Sequence, residues 1–497
     1  MQAAINRGAA TPAGRIPSDS GKEKALRNTR LLIWLYLILL VVEGALRKWI
    51  VPQFSDPLLI IRDPVAILIY IFAFRAGVFP RNRFILSLGI IALFCLLSGM
   101  LVLLPYLPPK IILFVTIYGF RSDFLHLPLI FVIGNVFDAA DVKKMGWWIL
   151  AGLIPMALLM GVQFRASPEA LINRTVGLGE GEQITAGGGK IRPPGTFSFI
   201  SGAIFYLSSA AAFLVHGILT RTTYRTWLLL AGGFALVVAV AVSGSRSAVA
   251  SVGLVVLSLL VILVLRPEAV NQFGRSLLLA VIVAWGISHL PIFKEGIGIL
   301  SDRFTESAEA SESSIAGGLL ARIYSGFVEG FRVFDRLPLF GYGLGIGTNA
   351  GAKFITGQAG FLLAEGEWAR VLLESGPIFG LMFLVWRTVL TIRLGWLSLR
   401  ALGYGETLSV ILFSAGFVPL LNGQFGQPTT LGFAALLNGL CLASTNLARE
   451  ATPETAAKQA LPSPQRGPKL VRARSAYAAR LHETGDGRTQ TNGSTDR

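Results

Sequence analysis

Charge is scarce in this chain. Of its 497 residues 14% are Asp, Glu, Lys or Arg, 53% are hydrophobic, and the mean hydropathy is +0.62. A soluble domain carries about 25% charged residues. An ordinary soluble domain is therefore excluded, and length does not count domains. Cysteine is nearly absent. Cys95 and Cys441 both fall in apolar runs, so they read as small core residues, without a disulfide framework or a cysteine metal site. Histidine numbers four. The polar loops hold neither a His/Cys cluster of ligand spacing nor an Asp-x-Asp pair, so no metal and no cofactor is expected. Acidic side chains are outnumbered 28 to 44, for a net charge of +16. Much of the excess gathers in residues 1–30 and 451–497. No basic stripe is interleaved with aromatics, which excludes a nucleic-acid partner. The excess reads instead as the bias that holds Lys and Arg on the cytoplasmic side of a membrane.

What the chain does have is long apolar runs. A crossing takes about 20 apolar residues, and about twelve such runs are present. They are 31–46, 64–80, 84–104, 110–136, 145–163, 198–218, 226–242, 247–265, 275–291, 369–392, 407–421 and 429–447. The first has no small-residue cleavage site after it and reads as an uncleaved anchor. The expected fold is an all-α polytopic membrane protein. Placing the N-terminus inside puts Arg75, Arg81, Arg83, Lys143, Lys144, Arg221, Arg225, Arg266, Arg275, Arg393, Arg400 and both tails on the cytoplasmic face. Residues 1–30 then form an N-terminal tail and 31–447 the membrane domain. Residues 448–497 form a basic tail with too few apolar residues to fold alone. Two long loops face outward, about 164–197 and 292–368, the latter between spans nine and ten.

On this topology three arginines break the bias. Arg246 follows Ser243, Gly244 and Ser245 in a tight turn between two apolar spans. Ser and Gly make such a turn without needing an arginine. Arg192 precedes Pro193, Pro194 and Gly195, where the prolines stiffen the chain and the glycine permits close approach. Arg322 opens an amphipathic stretch reaching Phe334. Each is either an interfacial or solvated side chain or part of an anion site, because guanidinium keeps its charge and grips phosphate through paired hydrogen bonds. Near the end of the second loop stand Glu365, Glu367, Arg370 and Glu374. The spacing of Arg370 and Glu374 predicts an ion pair on one helix face. Glu365 and Glu367 complement a helix N-terminus or act as a general base toward a sugar hydroxyl. Arg121, Asp123 and His126 lie mid-span, where charge is costly. They pair internally, relay protons or line a hydrated acceptor cavity. Gly341, Gly343, Gly345 and Gly347 lack the strand–turn–helix setting of a nucleotide loop and shape the outer loop instead.

Several of these stretches resemble the O-antigen polymerase and ligase superfamily. Asp335 to Gly345 and Glu365 to Gly380 are similar to its outer-loop signature. Arg192 to Phe197 and Ser243 to Ala248 are similar to two other landmarks. Glu43 to Trp49 and Gly119 to Pro128 resemble a subgroup of bacterial exopolysaccharide polymerases. The resemblance spans residues 31–447. It implies a GT-C-like, multi-pass glycosyltransferase of the inner membrane, with both termini cytoplasmic. Its donor would be a glycan on undecaprenyl diphosphate, with no metal required and with membrane lipids around it. A chain-length regulator and a flippase are its expected partners. At matching positions Arg192 and Arg246, and less directly Arg322, would hold the diphosphate. Many ligases of the superfamily carry histidine where this chain has Glu365, which favours a polymerase. The alternatives are a ligase with a lipid or protein acceptor, and a transporter. A transporter often shows two related halves, and no such internal repeat is evident.

Overall fold

The computed structural model describes residues 19–176, 185–187, 189–220, 222–266, 298, 326–358 and 360–450, the side chains of Asp19 and Glu450 excepted. Nearly all of this is helix. The helices are α1 (Asp19–Ala45), α2 (Ser55–Leu58), α3 (Arg62–Ala76), α4 (Arg83–Leu103), α5 (Pro109–Phe120), α6 (Leu129–Val136), α7 (Ala139–Arg165), α8 (Ile200–Thr220), α9 (Thr226–Val242) and α10 (Arg246–Leu265). After them come α11 (Asn349–Thr356), α12 (Glu367–Ser375), α13 (Leu381–Gly403), α14 (Leu408–Asn422) and α15 (Pro428–Glu450). A short antiparallel hairpin, β1 (Thr185–Gly187) and β2 (Lys190–Ile191), interrupts them between α7 and α8.

Among the described residues nine helical stretches are long and apolar enough to cross a membrane, and α9 and α14 are shorter apolar helices. The chain is an all-helical, multi-pass membrane protein. The expected run 275–291, Arg322, most of the 292–325 stretch and the tail beyond 450 lie outside the described residues. The first helix begins at Asp19, so part of the expected N-terminal tail is helical. Local signals explain several helix ends. The Asn82 side chain accepts the Ile85 N–H at 2.9 Å and starts α4. Asp138 and Asp141 form a reciprocal capping box at the start of α7, which satisfies otherwise orphaned N–H groups.

Cross-chain bonds sort the helix ends onto two faces. On the near face, where α1 begins, Arg30 pairs with Asp138 and Asp141, Tyr224 donates to the Lys143 carbonyl and Arg266 donates to the Gly403 carbonyl. On the far face, where α1 ends, Arg47 donates to Ser198, Ser201 donates to Gln427 and Trp368 donates to the Leu421 carbonyl. The described spans therefore alternate in direction along the chain as far as α10, and the next described span, α12 with α13, runs from the far face to the near face as α10 does.

Two departures from plain helix shape the core. The fourth span breaks into α5, a π-helical turn at Arg121–Leu125, and α6. Beside the break, residues 341–348 wedge inward between α4, α5 and α12. A Cβ on Gly119 would strike the backbone of Gly345, and one on Gly99 would lie 2.8 Å from Leu344 Cβ. Gly119 is ten residues along from Pro109, so the wedge reaches about 15 Å down the helix at 1.5 Å per residue. Irregular backbone is tolerated at such depth only where protein covers it, and Leu344 is fully buried. Gly341, Gly343 and Gly345 have φ of +73°, +116° and +94°, a region nearly closed to other residues. The glycine run expected to shape an outer loop shapes this inserted one.

Candidate functional site

The Arg192 segment is held on three sides at the far face. Gln163, fully buried on α7, pairs with the Gly195 peptide: its Oε1 accepts the Gly195 N–H at 2.8 Å and its Nε2 donates to the Gly195 carbonyl at 3.2 Å. Lys48 Nζ donates to that same carbonyl at 2.7 Å. Thr196 Oγ1 donates to the Val41 carbonyl at 2.7 Å. Pro193 and Pro194 remove two donors that a buried loop would otherwise have to satisfy. Neither Gln163 nor Lys48 stood out in the sequence as a partner of this loop, since a lone Gln in an apolar span carries no motif.

The Arg192 segment meets the Ser243–Arg246 turn. Gly244 has φ +56°. A Cβ there would lie 2.6 Å from Ala186 Cβ and 3.9 Å from Arg192 Cγ. The hairpin thus packs on the turn, and two landmarks separated by some fifty positions share one place. Ser243 Oγ donates to the Val240 carbonyl at 2.7 Å and accepts the Ser245 N–H at 3.3 Å, shaping the turn so that Arg246 opens α10. Arg192 Nε is buried and has no hydrogen-bond partner among the described residues.

The two candidate carboxylates part company. Glu365 is exposed, and its backbone carbonyl accepts Gln424 Nε2 at 2.8 Å. Glu367 is 3% exposed. Its Oε1 accepts Arg387 Nη1 at 2.8 Å and Arg370 Nη2 at 3.1 Å, while its Oε2 accepts Arg370 Nε at 3.0 Å. The expected Arg370–Glu374 pair is present at 2.8 Å, inside a larger cluster. Arg370 also donates to Asp123 Oδ1 at 2.6 Å. Glu374 Oε1 accepts the Gly347 N–H at 2.8 Å, pinning the wedge. Arg387 donates to the Leu420 and Gly423 carbonyls, each at 3.0 Å, and its guanidinium lies 3.8 Å from the Phe425 ring centroid. Arg387 is a fully buried cation inside the tenth expected span, and cost alone marks such a group for attention.

Arg121, Asp123 and His126 do not pair with one another. Asp123 joins Arg370. Arg121 and His126 both meet Asp63, the latter at 3.0 Å. The Tyr36 hydroxyl lies 3.0 Å from His126 Nδ1, and Arg62 bridges Tyr36 to Glu43. The π turn explains the split, because its wider winding turns these side chains toward different neighbours. His216 Nδ1 lies 3.4 Å from Thr407 Oγ1. Among the described residues no group of three or more His, Cys, Asp or Glu could hold a metal ion. A scan against protein-family models and a search of curated proteins found no match.

Proposed function

We propose that this protein is a membrane glycosyltransferase of GT-C-like architecture, which polymerises glycan repeat units carried on undecaprenyl diphosphate. The far face is then the outer face of the bacterial inner membrane. The observation that carries the reading is the meeting of the Arg192 segment with the turn preceding Arg246. Two permanent cations gather on rigid backbone at one membrane boundary, and a diphosphate is the ligand that such cations suit.

The chemistry is a direct displacement. An acceptor hydroxyl attacks the anomeric carbon of the donor, the glycosyl–phosphate bond breaks, and undecaprenyl diphosphate leaves with the bonding electrons. The centre inverts, and the hydroxyl proton passes to a base. Negative charge grows on the diphosphate as its bond breaks. Arginines already in place stabilise that charge without reorganising, often the largest catalytic contribution. Glu365 is the base in this reading, because its carboxylate is exposed whereas Glu367 is engaged by two guanidiniums. Glu367 has a scaffold role. Arg121, Asp123 and His126 are likewise scaffold, each held by a partner from another helix.

The test uses cells lacking the endogenous enzyme. Arg192→Ala and Arg246→Ala should each abolish long polymer at unchanged protein level, each costing about 3–4 kcal/mol of transition-state stabilisation by comparison with a lost oxyanion-hole donor. Polymer of normal length from both variants would remove the anion site. Purified protein given lipid-linked repeat units should produce a ladder of lengths. Transfer of a single glycan to another acceptor would make it a ligase, and no new glycosidic bond would end the glycosyltransferase reading.

A further inference from the structure

A chain of uncharged side chains crosses the far face beside Glu365. Ser201 Oγ donates to Gln427 Oε1 at 2.9 Å. Gln427 Nε2 donates to Gln424 Oε1 at 2.6 Å. Gln424 Nε2 donates to the Glu365 carbonyl at 2.8 Å. The chain ties the first turn of α8 to the α14–α15 turn and then to the strand of backbone entering α12. Every bond runs in the same direction, and such a series is mutually strengthening.

A staple between helices would be better made of buried groups. Ser201, Gln424 and Gln427 are all only half-buried. Each primary amide has two N–H donors and an oxygen with two lone pairs. Each uses one N–H in the chain, so a second N–H and a further lone pair remain for a ligand. Neighbouring sugar hydroxyls, each donor and acceptor at once, are complementary to such a row. A neutral amide row does not compete for the diphosphate, which the arginines take.

The setting is rigid and well placed. Arg387 holds the Gly423 carbonyl and stacks on Phe425, so the turn bearing both glutamines is anchored to the buried ion cluster. Ser201 closes the same short run that begins with Arg192. At the other end the chain terminates on the backbone of the exposed carboxylate. A recognition surface performs best when its supports are locked in this way.

Resting on the glycosyltransferase reading above, we propose that Ser201, Gln424 and Gln427 form the acceptor-saccharide subsite. They bind hydroxyls of the attacking sugar beside Glu365.

The probe is a free oligosaccharide fragment of the polymer, used as acceptor with lipid-linked repeat units as donor. Gln424→Ala and Gln427→Ala should each raise the fragment's KM about tenfold, the loss of one hydrogen bond. Maximal rate, thermal unfolding midpoint and affinity for undecaprenyl diphosphate should stay within twofold or unchanged. Saturation-transfer NMR of the fragment reads binding without turnover and should weaken in both variants. An unchanged KM and unchanged NMR signal would overturn the subsite while leaving the glycosyltransferase intact. So would a joint fall of stability and diphosphate affinity, the signature of a mere staple. A wild-type protein that forms no glycosidic bond would instead overturn the reading beneath it.

Discussion

Glu365 and Glu367 are two positions apart in sequence, yet their environments are opposite. One carboxylate meets water; the other is enclosed between Arg370 and Arg387. Removing one partner of a buried ion pair leaves an uncompensated charge and costs about 3–5 kcal/mol. Glu367→Gln should therefore lower the thermal unfolding midpoint and the amount of protein in the membrane. Glu365→Gln should leave both unchanged while abolishing polymer. Normal polymer from Glu365→Gln would remove it as the base, and an unshifted midpoint for Glu367→Gln would remove the scaffold role. The sequence offered both residues equally, because a helix start favours acids whether or not they are buried. Exposure was decided by Arg387, which reaches Glu367 from the next helix.

At the scale of elements, the inserted loop and the broken fourth span belong together. The wedge needs space beside α5, and glycines on both sides provide it: Gly99 and Gly119 on the helices, Gly343 and Gly345 on the loop. Gly345 has φ +94°, and a Cβ there would strike the Val115 carbonyl. Gly345→Ala should destabilise the protein by about 3 kcal/mol, strain plus overpacking. Gly357 provides the control. It ends α11 with φ +80°, but a Cβ there meets nothing within 4 Å. Gly357→Ala should cost only about 1 kcal/mol, the conformational part. Equal shifts in unfolding midpoint would show that the wedge is not tightly seated. The glycine spacing was visible in the sequence, but its depth was not, since a polar-flanked loop gives no sign of folding back between helices.

At the scale of the whole molecule, most of the charge buried among the described residues is arranged in two connected groups. Arg47, Arg62 and Arg121 meet Glu43 and Asp63, while Arg370 and Arg387 meet Asp123, Glu367 and Glu374. Both groups serve the far-face architecture, one through Arg47 and Ser198, the other through Arg387 and the α14–α15 turn. The proposed sidedness can be measured directly. Tyr106→Cys, at an exposed far-face turn, should react with an impermeant thiol reagent from outside the inner membrane. Thr222→Cys, at the near face, should react only from the cytosol. Cys95 and Cys441 are buried and should stay silent. The reverse pattern would place the Arg192–Arg246 site in the cytosol and remove the proposed reaction.

The sequence alone determined that this chain crosses a membrane many times, and it located the described spans to within a few residues in most cases. The reason is physical: a crossing must be long and apolar wherever its partners lie. It also marked Arg192, Arg246 and Glu365 as costly or unexplained. Only tertiary structure decided which charges are structural and which face solvent. Asp123 finds Arg370 across a separation of 247 residues, and Asp63 finds Arg121 across 58. Ion pairing depends on distance in space, and no local pattern along a chain encodes an encounter between helices that far apart.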